Sequence, residues 1–192
     1  MNKIYTLWFA ILAFCSNLNA QTTNFHDTQG NLDISSSGGV NYTLPIAMPP
    51  TIGDFAPTIN LVYGSGQFGG IAGQGWNISG ISAIMRTATR RDIDGIIDGV
   101  DFDANDKLSI DGQRLLLKSG TYFASGAQYM TETQSNTKIE QVNTGATTYF
   151  IVTAPDGTRS WYGNYGGMNA IEHTAYYIVR QEDTDGNYIT YH

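Results

Sequence analysis

The acidic run from Asp92 to Asp106 holds the densest set of potential ligands in the chain. Within it Asp101, Asp103 and Asn105 stand at i, i+2 and i+4. That spacing lets a turning loop aim successive oxygens at a hard cation such as calcium. An EF-hand would continue with Gly at the sixth position and Glu at the twelfth. Those positions are Asp106 and Gly112 here, so that motif is excluded. A looser calcium site on these three residues, helped by Asp92, Asp94, Asp98 or Asp106, is the candidate metal chemistry. Solvated turn aspartates are the competing reading.

Other patterns carry less chemistry. Gly64-Ser-Gly-Gln-Phe-Gly69 fits a dinucleotide fingerprint, which needs a helix N-terminus directly after it to hold the pyrophosphate. The chain continues instead through Gly70, Gly73 and Gly75, which cannot start one. The three histidines, His26, His173 and His192, lie in a lead-in, a late loop and the last position. There is no Gly-x-Ser-x-Gly elbow to expose a serine nucleophile. Trp76, Trp161 and the twelve tyrosines could line a sugar platform, but strand packing accounts for them as well. No catalytic residue and no cofactor site is assigned, and the chain is expected not to be an enzyme.

The elements around these residues read as strands. Tyr42, Leu44 and Ile46 alternate with Asn41, Thr43 and Pro45, and Ile59, Leu61 and Tyr63 with Thr58, Asn60 and Val62, the period-2 sign of half-buried strands. With Trp76 and Ile78 they are the expected core. Pro45, Pro49, Pro50 and Pro57 lack backbone donors and belong at strand ends or edges. Leu108 to Ile110 and Arg114 to Leu117 flank Asp111-Gly112, a pair that tolerates positive φ at both central turn positions. Further strands are expected at Leu32–Ile34, Tyr122–Ala124, Lys138–Val142, Thr147–Thr153, Arg159–Tyr162, Tyr176–Gln181 and Tyr188–Tyr191. No span after the leader has a helical period with caps. Turns every ten residues or so suit a sandwich, barrel or layered sheet.

Composition sets the compartment. Residues 1–20 read as a signal peptide: Lys3, an apolar run from Leu7 to Cys15, and Ala20 at the cleavage point. Nothing later approaches the ~18 apolar residues of a membrane span, so no membrane insertion is expected after cleavage. The one cysteine, Cys15, lies in that leader, which leaves no disulfide framework and no thiolate site. A net charge of −7 and scattered basic residues, apart from Arg86, Arg90 and Arg91, argue against nucleic acid as a partner.

Several motifs in order carry a family resemblance. They are Leu44-Pro45-Ile46, Ala56-Pro57, Leu61, Tyr63, Gly73, Gly75-Trp76, Ile78-Ser79-Gly80, Ile84 and Arg86. Asp111-Gly112 and Asp185-Gly186 extend the set. Together they resemble the N-terminal SpvB-type domain of SpvB virulence proteins, B components of insecticidal Tc toxin complexes and related Rhs/YD-repeat proteins. Asp156-Gly157…Tyr162 and Asp185-Gly186…Tyr191 form a short internal repeat similar to the YD-repeat turn and strand.

The resemblance implies an all-β fold, a multi-stranded antiparallel sandwich or layered sheet with many Asp-Gly turns, part of a larger β-shell. It implies a non-catalytic structural module of a secreted toxin-related protein. Its partners would be propeller and YD-repeat shell segments or other toxin-complex subunits. The ADP-ribosyltransferase of SpvB is a separate domain whose Glu-x-Glu motif is absent among Glu132, Glu140, Glu172 and Glu182. The expected organisation is a signal peptide (1–20), a polar lead-in (21–34) and a β domain (35–192) that is incomplete at its C-terminus. The alternative is a stand-alone secreted carbohydrate-binding or adhesive β-module.

Overall fold

The computed structural model describes residues 29–49, 55–133 and 135–192. The expected signal peptide, most of the lead-in, His26 and Pro50 lie outside them. The described chain is almost entirely antiparallel β-structure, in two sheets.

The first sheet is a four-stranded meander of β1 (Asn31–Ile34), β2 (Val40–Pro45), β3 (Asn60–Gly64) and β4 (Trp76–Ser79). Register aligns Leu32 with Tyr42, Tyr42 with Tyr63 and Tyr63 with Trp76; Leu44, Leu61 and Ile78 form the next row. Because side chains alternate across a strand, these rows share one face. Asn31, Asp33, Asn41, Thr43, Asn60, Asn77 and Ser79 fall on the other, with Pro45 and Val62 among them. The sheet is therefore apolar on one side and mainly polar on the other.

The second sheet runs through β5 (Ala83–Thr87), β6 (Lys107–Ile110), β7 (Gln113–Ser119), β8 (Gln128–Thr131), β9 (Lys138–Thr144), β10 (Thr147–Thr153) and β11 (Arg159–Tyr165), each paired with the next. Then β14 (Ala175–Glu182) pairs with both ends of that meander, with β5 through Ala175–Tyr177 and with β11 through Ile178–Glu182. These eight strands close a barrel. Short strands flank it: β12 (Met168–Asn169) on β11, β13 (Ile171–Glu172) and β15 (Tyr188–Thr190) on β14. All-β antiparallel structure is as expected. Of the arrangements that the turn spacing allows, the main sheet adopts the barrel, because β14 finds a partner on each side.

The core sits inside this barrel. Each of the eight strands supplies a buried residue: Ile84, Leu108, Leu115, Tyr129, Ile139, Phe150, Tyr162 and Ile178. Burying each side chain of this size stabilises the fold by roughly 1.5–3 kcal/mol. The loop between β7 and β8 adds Tyr122 and Phe123, which pack against the core. Gln141 is also buried there. It accepts from Tyr129 Oη at 2.7 Å and donates to the Phe123 carbonyl at 2.9 Å, so its burial leaves no unmet amide.

Three expectations need correction. The core is not the Tyr42–Ile78 set. Ile46 and Ile78 are exposed and the rest half-buried, since no second layer among the described residues covers that face. Tyr122–Ala124 is a turn, not a strand. Its tyrosine hydroxyl accepts from the Leu108 amide at 2.7 Å, which bends the segment inward. The strand of that region is β8, which begins four residues after Ala124. Finally, Arg91–Asp94 forms a one-turn helix, α1, ended by Gly95 at φ 76. Four residues are too few to show a helical period.

Candidate functional site

The acidic loop between β5 and β6 is the first place to look for chemistry. Asp98, Asp101 and Asp103 each bring a carboxylate oxygen within 4.8 Å of the others. The other three aspartates proposed from sequence are spoken for. Asp92 pairs with Arg90 at 2.6 Å, Asp94 with Arg114, and Asp106 with Arg86 at 2.7 Å. Asn105 turns its amide nitrogen toward Asp103 at 2.9 Å and Asp98 at 3.3 Å, so it acts as a donor inside the cluster. The Asp103 carboxylate also receives the Asn105 and Asp106 amides, at 2.6 and 3.3 Å. Desolvation, and then the charges of Asp103 and Asp98, raise the pKa of Asp101. The three carboxylates offer hard oxygen donors of the kind calcium takes. Their recorded hydrogen bonds close within the loop itself.

Arg86 and Asp106 anchor this loop to the barrel. Asp106 is completely buried. It accepts from Arg86 Nη1 and from the amides of Asp101 at 3.2 Å and Phe102 at 3.0 Å. Burial alone would raise its pKa; the guanidinium and the two amides outweigh that and hold it below the usual carboxylate range. Arg86 also lies over the Phe123 ring, 4.6 Å from its centroid. Arg114 is likewise buried, between Asp94 and the Ala88 carbonyl. It holds α1 against the barrel.

A second polar node marks the barrel seam. Ser82 Oγ donates to Asp111 Oδ2 at 2.7 Å. With that proton committed, the Tyr162 hydroxyl is the donor to Ser82 Oγ at 2.9 Å. Asp111 also accepts from the Ala83 amide at 3.2 Å, and the Ile178 amide donates to the Ser82 carbonyl at 3.1 Å. Burial pushes the Tyr162 phenol up to about 12, so it stays protonated. Neither imidazole of the described residues shares this node; His173 lies against Phe102 and His192 is exposed. The node ties β5, the β6–β7 turn, β11 and β14 together.

The family-motif residues fall mainly in the four-stranded sheet. Trp76 packs against Tyr63 at 5.1 Å with the rings tilted by 48°, and meets Tyr42 edge-on at 6.3 Å. Gly75 has φ +77, and a Cβ there would lie 2.7 Å from the Tyr63 ring. Gly80 has φ +95, and its Cβ would strike the Thr58 carbonyl at 1.8 Å. Pro45 ends β2, Pro57 precedes β3, and Gly73 turns at φ +124 before β4. Arg86 belongs to the acidic-loop anchor and Asp111 to the seam. Asp111 and Gly112 have φ 47 and 81, the two positive angles of a type I′ turn. Asp185 and Gly186 form the β14–β15 turn. Sequence reasoning named Asp111 but missed Ser82 and Tyr162, which are 29 and 80 residues apart from their respective partners. It also missed Arg114, whose one visible signal was an arginine directly before the apolar run Leu115–Leu117.

Trp161 offers no open ring to a sugar. Trp161 is 5% exposed, stacked on Tyr165 at 5.2 Å, with Arg159 and Arg180 over its ring.

A family model described as Salmonella virulence plasmid 65kDa B protein, SpvB, matches residues 34–192. No curated protein matches the chain.

Proposed function

Because the chain belongs to the SpvB family, we propose that it is a non-catalytic structural module of a secreted toxin-related protein. In this reading it forms part of the wall of a β-shell that encloses or delivers an effector. Cleavage after Ala20 would release a chain beginning at Gln21, outside the cell or at its surface. Its partners would be propeller and YD-repeat shell segments, or other toxin-complex subunits.

The observation that carries the reading is the uncovered apolar face of the four-stranded sheet. Leu32 and Ile34 are 61% and 65% exposed, and Ile46 and Ile78 are exposed beside them. From Gly30 to Gly80 the only charged residues are Asp33 and Asp54. A surface so poor in charge recognises a partner by apolar area and shape, as the centres of protein interfaces do. The outer edges of β1 and β4 carry no strand partner among the described residues, and neither does that of β15. Such edges can extend a sheet into a larger one.

Sedimentation velocity of the secreted chain tests this, alone and mixed with shell segments. The expected result is self-association of the chain alone, relieved by the segments and reduced by Leu32→Thr with Ile34→Thr. A monomer that neither associates nor responds to those substitutions overturns it. Retention on polysaccharide by that monomer would put the binding-module alternative first.

A further inference from the structure

We propose that Asp185–Gly186 is a site of spontaneous isoaspartate formation, singled out by the fold from the five Asp-Gly pairs of the chain. The reaction needs a glycine amide nitrogen free to attack the preceding aspartate side chain. The nitrogen bonds to Cγ and the carboxyl leaves as water, giving a cyclic succinimide. A water molecule then adds to one of the two imide carbonyls. Opening on the backbone side leaves the chain running through the side-chain carboxyl, one methylene longer. No oxidant or second substrate is consumed, and water lost in the first step is regained in the second.

Four of the five pairs are restrained. The Asp94 carboxylate accepts the Arg90 amide at 2.7 Å and pairs with Arg114. Asp98 accepts from Asn105 at 3.3 Å. Asp111 holds Ser82 Oγ and the Ala83 amide. Asp156 accepts the Thr158 amide at 2.9 Å. Asp185, by contrast, has an exposed carboxylate with no hydrogen bond or ion pair among the described residues.

The comparison with Asp156 is the informative one, because the two turns have the same backbone. In one, Ala154 N–H donates to Thr158 O and Gly157 N–H to Ala154 O, at 2.9 and 3.0 Å. In the other, Asp183 N–H donates to Asn187 O and Gly186 N–H to Asp183 O, at 3.0 and 3.4 Å. They differ in what sits at the first position. Asp183 takes the Asn187 amide on its own carboxylate at 2.8 Å, and the Asp185 amide at 2.9 Å. That removes the donor which would otherwise hold Asp185, as Thr158 holds Asp156. The glycines differ too. A Cβ on Gly157 would meet Thr184 at 2.6 Å, whereas Gly186 faces open space and its amide bond is the longer one. The carboxyl is thus loosest at Asp185–Gly186, and its glycine amide is held less tightly than that of Gly157.

The test is to age the whole chain in neutral buffer at physiological temperature. Aliquots are labelled with isoaspartyl methyltransferase and methyl-labelled S-adenosylmethionine, and the label is mapped by peptide mass spectrometry. A parallel sample in denaturant shows the intrinsic rate of each pair. The folded chain is expected to label at Asp185 at least tenfold faster than at Asp111 or Asp156, a barrier difference of about 1.4 kcal/mol. In denaturant that preference should vanish. Asp185→Glu, which keeps the charge and the turn, should remove the label. Asp183→Ala should extend labelling little, since Asp185 is already free. Equal labelling of the five pairs in the folded chain overturns the proposal, and so does a maximum at Asp98 or Asp156.

Discussion

Arg86 and Asp106 form a buried ion pair, 2.7 Å between Nη1 and Oδ2, with no part of the aspartate exposed. The pair joins β5 to the end of the acidic loop and brings two backbone amides with it. Removing one partner leaves a buried charge without compensation. Asp106→Ala is therefore expected to cost about 3–5 kcal/mol, read from urea unfolding. A loss below about 1 kcal/mol would mean that water reaches Arg86 and the pair is peripheral.

Acid should weaken the fold through the same residue. The folded pKa of Asp106 lies below its unfolded value, and Asp94 is shifted the same way. Such a carboxylate contributes its full stability above the unfolded pKa, roughly 3.9 for aspartate. That stability is lost as pH falls through the folded value. Thermal midpoints should be flat near neutrality and drop below about pH 4. In Asp106→Asn the drop should be shallower from a lower starting midpoint. An identical acid slope in both proteins would assign the effect elsewhere.

Asp101 should behave in the opposite sense. Its folded pKa is raised, by desolvation first and by Asp103 and Asp98 next. A raised carboxylate opposes folding once it is ionised. In buffer freed of divalent cations, Asp101→Asn is expected to raise the thermal midpoint at neutral pH. A lower midpoint would mean that its amide contacts in the loop outweigh the repulsion.

Two glycine substitutions should rank in a fixed order. Gly112 sits at φ +81 with open space around it, so Gly112→Ala meets backbone strain alone, about 1–2 kcal/mol. Gly80→Ala meets the same strain and also drives a carbon into the Thr58 carbonyl. It should cost more, and Tyr63–Trp76 packing should loosen, seen in near-UV dichroism. If Gly112→Ala is the worse of the two, the close approach at Gly80 is wrong.

The seam predicts a modest, specific loss. Tyr162→Phe keeps the buried ring and removes its hydrogen bond to Ser82, a change of about 0.5–1.5 kcal/mol. Phe150→Ala, which empties the barrel centre, should cost about 3–5 kcal/mol. Both are read by urea unfolding, and comparable losses would deny the tyrosine its polar role.

What the sequence made legible was local. Asp111-Gly112 declared its hairpin because only a few residues accept two positive φ angles in succession. Thr147–Thr153 was visible as a strand from its own residue types. The alternation of Tyr42, Leu44 and Ile46 told which side chains share a face. It did not tell whether anything lies over that face, and so the core was placed in the wrong sheet. The barrel was hidden because its closure depends on the strand that meets Tyr162 through Ile178 also meeting Met85 through Ala175, a pairing with a distant segment. Of the candidate site, Arg86 and the Asp101–Asn105 spacing were readable. The partner of Arg86 was not, since one aspartate in a run of six looks like the others until the loop folds.

The double pairing of β14 also orders events in time. Until Ala175–Glu182 has been synthesised, the strands from Ala83 to Tyr165 can form only an open ribbon with two bare edges. The segment that seals it is made after all of those strands. Closure then waits on a contact between the two ends of the ribbon, the kind of long-range contact that slows folding. Throughout that interval the nascent chain can still be threaded, bound by a chaperone or joined to a neighbour's edge. Once β14 is in place, those options end together.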